Sequence, residues 1–138
     1  MAKNIAIVGA GICGLSTAYE LLQAGYKVTL IAKEFSPNIT SNKAAAFWFP
    51  YHIRNDERGI EWCKKSYSFF KEKSADSLTG ISMISIIKAS KKGADDETSW
   101  LNYMPESSYS ILSENEIPNG YEKGCKAIVP LIETQIFL

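Results

Sequence analysis

Three glycines, Gly9, Gly11 and Gly14, stand in the spacing GxGxxG between two apolar runs of the stretch "IAIVGAGICGLSTAYELLQAGYKVTLIAKE". Glycine costs roughly 0.5–1 kcal/mol against alanine inside a helix, so three within six positions need a reason other than propensity. The flanking pattern supplies one. Asn4 to Val8 is a short, nearly continuous apolar run, the mark of a strand buried on both faces. From Ile12 the apolar positions Leu15, Ala18, Tyr19 and Leu22 keep helical spacing, and Gly25 stands where a left-handed C-cap is expected. Lys27 to Ala32 is again strand-like. Strand, helix and strand within about 30 residues predict a right-handed βαβ unit with parallel strands. In such a unit Gly9 permits the turn out of the strand, Gly11 lets backbone approach a diphosphate, and Gly14 lets the helix sit close to the sheet. The unpaired amides of the first helical turn, with their partial positive charge, favour an anion there. A dinucleotide is the expected ligand. The alternative, a glycine-rich turn in an ordinary α/β domain, gives Gly11 no task.

An acidic residue about 20 positions after the motif is expected on the adenosine ribose. Ala32 stands at the end of the second strand and is followed by Lys33 and Glu34, with Glu34 lying 20 residues beyond Gly14. Lys33 is also suited to a phosphate, and both charges can equally be solvated surface groups. The glycines do not choose between a nicotinamide and a flavin.

The rest of the chain reads less regularly. Residues 33–55 form a long connection that carries Pro37, Pro50 and the apolar knot "AAAFWFPY", and long connections of this kind are usually functional. Asn55 or Asp56 is placed to cap a helix running to about Lys73, with Ile60, Cys63, Tyr67 and Phe70 on one face. "GISMISIIKAS", "SWLNYM" and "CKAIVPLI" read as strands, "SENE" as a helix start and "IPNGY" as a turn. These strands are not separated by helical patterns, so a second sheet, antiparallel or mixed, is expected.

Lys plus Arg equals Asp plus Glu at 15 each, which leaves no overall basic field for nucleic acid or an acidic membrane surface. No apolar run reaches the roughly 18–20 residues of a membrane helix, and the N-terminus lacks the pattern of a signal peptide, so a cytoplasmic protein is expected. Cys13, Cys63 and Cys125 are far apart and odd in number, which favours reduced thiols, and the single His52 makes no metal site alone. The last residues, "VPLIETQIFL", are mostly apolar, so the chain is expected to continue in a longer protein.

Two segments together resemble a known family. "IVGAGICGLSTAYELLQAGYKVTLIAKEFSP" resembles the N-terminus of the D-amino-acid oxidase family of FAD-dependent oxidoreductases. "TSNKAAAFWFPY" resembles that family's second FAD segment, a Thr/Ser pair followed by small residues and a W-x-P-[YF] end. "GYEKGCKAIVPLIET" resembles the strand before the family's chain returns to its FAD domain. The resemblance implies an α/β fold: a Rossmann-like FAD/NAD(P)-binding βαβ region at 1–78 and the beginning of a mixed or antiparallel sheet substrate domain at 79–138.

It also implies roles. Gly9, Gly11, Ile12, Cys13 and Gly14 would surround the FAD pyrophosphate, and Ala32, Lys33 and Glu34 would lie near the adenosine ribose. Thr40 and Ser41 would lie near the phosphates, and Ala45, Ala46, Phe47 and Trp48 along the flavin ring. The chain departs from the family at Ala46, where relatives often have Gly, and at Phe49, where they are more often polar. The implied activity is oxidation of the CH–NH2 group of D-amino acids or a related amine, with oxygen as acceptor. The implied partner is therefore a small-molecule amine, without nucleic acid or membrane, and a homodimer is left open. The family's carboxylate-binding Arg and Tyr lie in its C-terminal half, so catalytic residues are expected beyond Leu138. Arg54 and Arg58 are the only arginines here, and His52 reads better as a loop residue than as a base. Two alternatives stand: an NAD(P)-dependent dehydrogenase, and a truncated, inactive fragment.

Overall fold

The computed structural model describes residues 3–44, 46–51, 53, 56–94 and 99–138. Two units emerge, Met1–Ala46 with Glu133–Leu138, and Phe47–Ile132. His52, Arg54, Asn55 and Ala45 lie outside the described residues.

In the first unit, β1 (Asn4–Val8) and β2 (Lys27–Ile31) pair in parallel, from Asn4 opposite Lys27 to Val8 opposite Ile31. The helix α1 (Ile12–Gln23) connects them, as the hydrophobic spacing predicts. Its end is fixed by a pair of backbone bonds: Gly25, at φ 81°, donates to the Leu22 carbonyl, and Tyr26 donates to that of Leu21, each at 3.0 Å. This is the Schellman arrangement, and it needs a residue without Cβ strain at Gly25. The burial of β1 differs from expectation. Its residues alternate between exposed and half-buried, and Val8 is 85% exposed, because only β2 joins it in a sheet among the described residues. Along α1, Ala18 is buried while Leu22 is exposed. A one-turn helix, α3 (Thr134–Phe137), packs on a 3-10 turn at Thr40–Lys43.

The second unit has its own core. The helix α2 (Glu57–Lys73) starts where Asp56 accepts the Gly59 N–H at 2.8 Å, and it buries Cys63 and Tyr67 on the predicted face. The chain after β3 (Ala46–Phe47) runs beside the later strands, with the Trp48 N–H donating to the Pro130 carbonyl at 2.8 Å. β4 (Ile81–Ser90) and β6 (Lys123–Ile132) are antiparallel, and β5 (Tyr109–Ile111), which the sequence pattern does not reveal, adds to β6. In this register Ile84 faces Val129, and Ile86 and Tyr109 flank Ala127, so one sheet face is continuous apolar surface. Val129, Ala127, Met104, Tyr67 and Trp100 are buried together there.

"SWLNYM" is not a strand. Ser99–Tyr103 forms a 3-10 helix, with Met104 donating to the Leu101 carbonyl. An extended strand would turn alternate residues outward, whereas Trp100, Leu101, Tyr103 and Met104 are all buried. The tight turn buries all four and leaves Asn102 exposed. "SENE" does form a capped turn: Ser113 and Glu116 hold one another in a capping box ahead of Glu114–Glu116. The helix α2 contacts β4, β6 and the 99–103 turn, all within the unit Phe47–Ile132. No helix among the described residues is long and apolar enough to cross a membrane.

Burial raises both the Cys63 thiol and the Tyr67 phenol above their ordinary values. The Tyr67 hydroxyl donates to the Ile128 carbonyl at 3.0 Å. Tyr67→Phe keeps the ring and removes this bond, so it is expected to lower unfolding free energy by about 1–2 kcal/mol, read from the urea midpoint at constant m-value.

Candidate functional site

The turn from β1 into α1 is built by the two outer glycines of the motif. Gly9 has φ 108°, in the region L side chains rarely adopt. Its N–H donates to the Ile31 carbonyl at 2.8 Å, so the turn is fastened to the end of β2. Gly14 lies against it: a Cβ at Gly14 would collide with the Gly9 carbonyl oxygen and come within 2.9 Å of its carbon. The helix sits this close to the strand end because that atom is missing.

Gly11 caps α1 in an extended conformation and offers no side chain to its amides. The first backbone bond of the helix runs from Leu15 N–H to the Gly11 carbonyl at 2.9 Å, which leaves the amides of Ile12, Cys13 and Gly14 without a helical acceptor. Ser41 takes the first of these. Its hydroxyl accepts the Ile12 N–H at 3.2 Å across 29 residues of sequence, and it lies 3.3 Å from where a Gly11 Cβ would stand. Side-chain bulk at Gly11 would therefore press on Ser41. The space expected for a ligand there is shared with this hydroxyl.

Ala32, half-buried, and Lys33 and Glu34, both exposed, follow directly on β2. The Gly9–Ile31 bond brings that strand end to the glycine turn. Thr40 is exposed and opens the 3-10 turn that carries Ser41. Cys13, in the first turn of α1, is exposed. The structure thus gathers Gly9, Gly11, Ile12, Cys13, Gly14 and Ser41 at one helix start, with the Ile31 end of β2 fastened to the turn and residues 32–34 following it in sequence. Ala46 is the last residue of this unit before Glu133 resumes it. Phe47 and Trp48 belong to the other unit, where Phe47 is half exposed and Trp48 stacks edge-on against Tyr67 at 5.9 Å. Trp48 and its neighbour Phe49 pack on the buried core of that unit.

Among the described residues the set of groups at the α1 start fits a bound diphosphate in kind: donor amides, a hydroxyl that can accept and donate, and no side chain on the two outer glycines. The matches with known proteins decide the family. A family model for FAD-dependent oxidoreductases covers residues 4–109. The chain belongs to that family. Within it, D-amino-acid oxidase of Rubrobacter xylanophilus is 30% identical over 132 residues, which is 96% of this chain and 40% of that protein. D-amino-acid oxidase of Dictyostelium discoideum is 31% identical over 124 residues, 88% of this chain and 35% of its own. A D-amino acid oxidase of Dugesia ryukyuensis is 39% identical over 71 residues, 49% of this chain. The chain therefore spans less than half the length of these relatives.

Sequence reading missed Asn42 and Thr134. Asn42 is buried between Ser36 and Thr134, and Thr134 is 92 positions away, so no local pattern could have paired them.

The glycine geometry makes a graded prediction. Gly14→Ala forces a methyl into backbone and is expected to cost about 1–3 kcal/mol of stability, as overpacking does. Gly25→Ala meets open space, since nothing lies within 4 Å, and its φ of 81° is expected to cost only about 1 kcal/mol. Thermal unfolding of the two variants should rank them in that order.

Proposed function

We propose that the βαβ unit is the FAD diphosphate site of a flavin-dependent amine oxidase, with a Rossmann-like arrangement, acting on the CH–NH2 group of a D-amino acid or a related amine and passing electrons to oxygen. The observation that carries the reading is the start of α1: bare amides at Cys13 and Gly14, and the Ser41 hydroxyl seated on the Ile12 amide. The substrate and acceptor rest on the relatives, which are D-amino-acid oxidases. FAD supplies the two-electron acceptor that no protein side chain provides.

In this reading the chain's residues bind and orient. The Cys13 and Gly14 amides donate to phosphate oxygens, and the end of α1 contributes its partial positive charge. Ser41 keeps its lone pair on Ile12 and turns its proton to a phosphate oxygen. Glu34 accepts from the adenosine ribose hydroxyls, and Lys33 beside it limits the local negative charge. The resemblance to the family assigns Phe47 and Trp48 to the flavin ring.

Titration with FAD, followed by quenching of flavin fluorescence, is expected to saturate, with ADP competing for the site. Uptake of NADPH with no response to FAD would instead favour the nicotinamide reading, for which Lys33 would meet the 2′-phosphate.

A further inference from the structure

We propose that Asn42 is a positioning residue for cofactor binding: it clamps the Thr40–Lys43 turn to Thr134 and so holds the Ser41 hydroxyl on the first amide of α1. The clamp has two opposed bonds. Asn42 Nδ2 donates to the Thr134 carbonyl at 2.9 Å, and Thr134 Oγ1 donates back to the Asn42 carbonyl at 3.2 Å. A third, from Nδ2 to Ser36 Oγ at 3.1 Å, ties in the segment after β2. The amide orientation follows from chemistry, because the Thr134 carbonyl can only accept and so must face the NH2 group.

The turn needs an external clamp because its own bonds are sparse. Its backbone contributes Asn42 N–H to the Ile39 carbonyl at 3.1 Å and Ala44 N–H to that of Ser41 at 3.4 Å. Neither reaches α1. Among the described residues, its hydrogen-bonded link to α1 is the 3.2 Å bond between Ser41 and Ile12, one residue before the clamp. Asn42 is only 9% exposed, and its Oδ1 is buried without a hydrogen-bond partner among the described residues. A serine or alanine would not leave that acceptor stranded, so the side chain's use lies in the two bonds its NH2 group makes. The sequence distance of 92 residues means that Thr134, far along the chain, sets the position of a phosphate-side hydroxyl.

This inference rests on the proposed FAD site for what Ser41 serves, but the clamp can be tested without a ligand. In the 138-residue chain, amide hydrogen exchange at Ile12 is expected to quicken about tenfold in Asn42→Ala, as it does when Ser41 is replaced by alanine, while the β1 amides keep their rates. Thr134→Val removes one of the opposed bonds, keeps the carbonyl, and is expected to give a smaller change of the same sign; it serves if Asn42→Ala does not fold. FAD and ADP titrations are expected to show affinity falling roughly five- to tenfold in Asn42→Ala and in Ser41→Ala, and no further in the double variant. Losses that multiply in the double variant, or unchanged Ile12 exchange in both Asn42→Ala and Thr134→Val, overturn the proposal. If the parent chain takes up neither FAD nor ADP, the cofactor reading fails, and Ile12 exchange still decides the clamp.

Discussion

The contact between Gly14 and the Gly9 carbonyl is the constraint on which the first unit is built. A side chain at residue 14 would lift the helix off the strand end, and with it the amides of its first turn. Gly9 solves the complementary problem. Its positive φ reverses the chain within one residue, and its N–H, left over by the turn, closes on Ile31 at the end of β2. One backbone geometry thus fixes three things: where α1 starts, which strand end it starts beside, and which amides lack acceptors. Amides without helical acceptors at one helix start are a by-product of closing strand, turn and helix this tightly.

The two units are stabilised differently. Residues 47–132 bury a contiguous apolar cluster, with Val129, Ala127 and Met104 fully enclosed and Trp48 and Phe49 packed against it. The βαβ unit encloses much less apolar surface. Ala10 and Ala18 are buried, but Val8, Ile31 and Leu22 are exposed. Parallel strands are ordinarily covered on both faces, because their side chains are apolar on both. Here the Thr40–Lys43 turn is tied to its surroundings by specific hydrogen bonds, with the buried Asn42 side-chain amide bonded to Ser36 and Thr134 and its carbonyl accepting from Thr134.

Much of this was legible in the sequence where the physics is local. β1, α1, its glycine cap at Gly25 and the Asp56-capped helix α2 each follow from spacing and capping within one turn. The strands β4 and β6 were readable from two long β-rich runs, and an antiparallel or mixed second sheet was expected, but their pairing with each other comes from the structure. "SWLNYM" misled because four of its residues are apolar or aromatic, and only the core decides whether such a run is buried by alternation or by a tight turn. β1 reads as doubly buried because an apolar run carries no information about how many neighbours its strand has. The backbone geometry of the candidate site was legible at Gly9 and Gly14, where steric demands are written in residue type. It was not legible at Asn42 and Thr134, whose relation is a long-range hydrogen bond between two ordinary polar residues.

Ser41 shows why the long-range part matters chemically. A hydroxyl can accept from one amide and donate to one oxygen at once, so it converts a helix N–H that already has a partner into a donor offered one atom further out. Cys13 and Gly14 have amides without helical acceptors, and with the hydroxyl they make three donors at one helix start. Replacing water on each group is close to thermoneutral, so the advantage comes from holding the donors in place before the ligand arrives. Gly9 and Gly14 fix two of the three through backbone sterics. The third is fixed only as well as the turn that carries it, and that turn is held by the side chain next to Ser41.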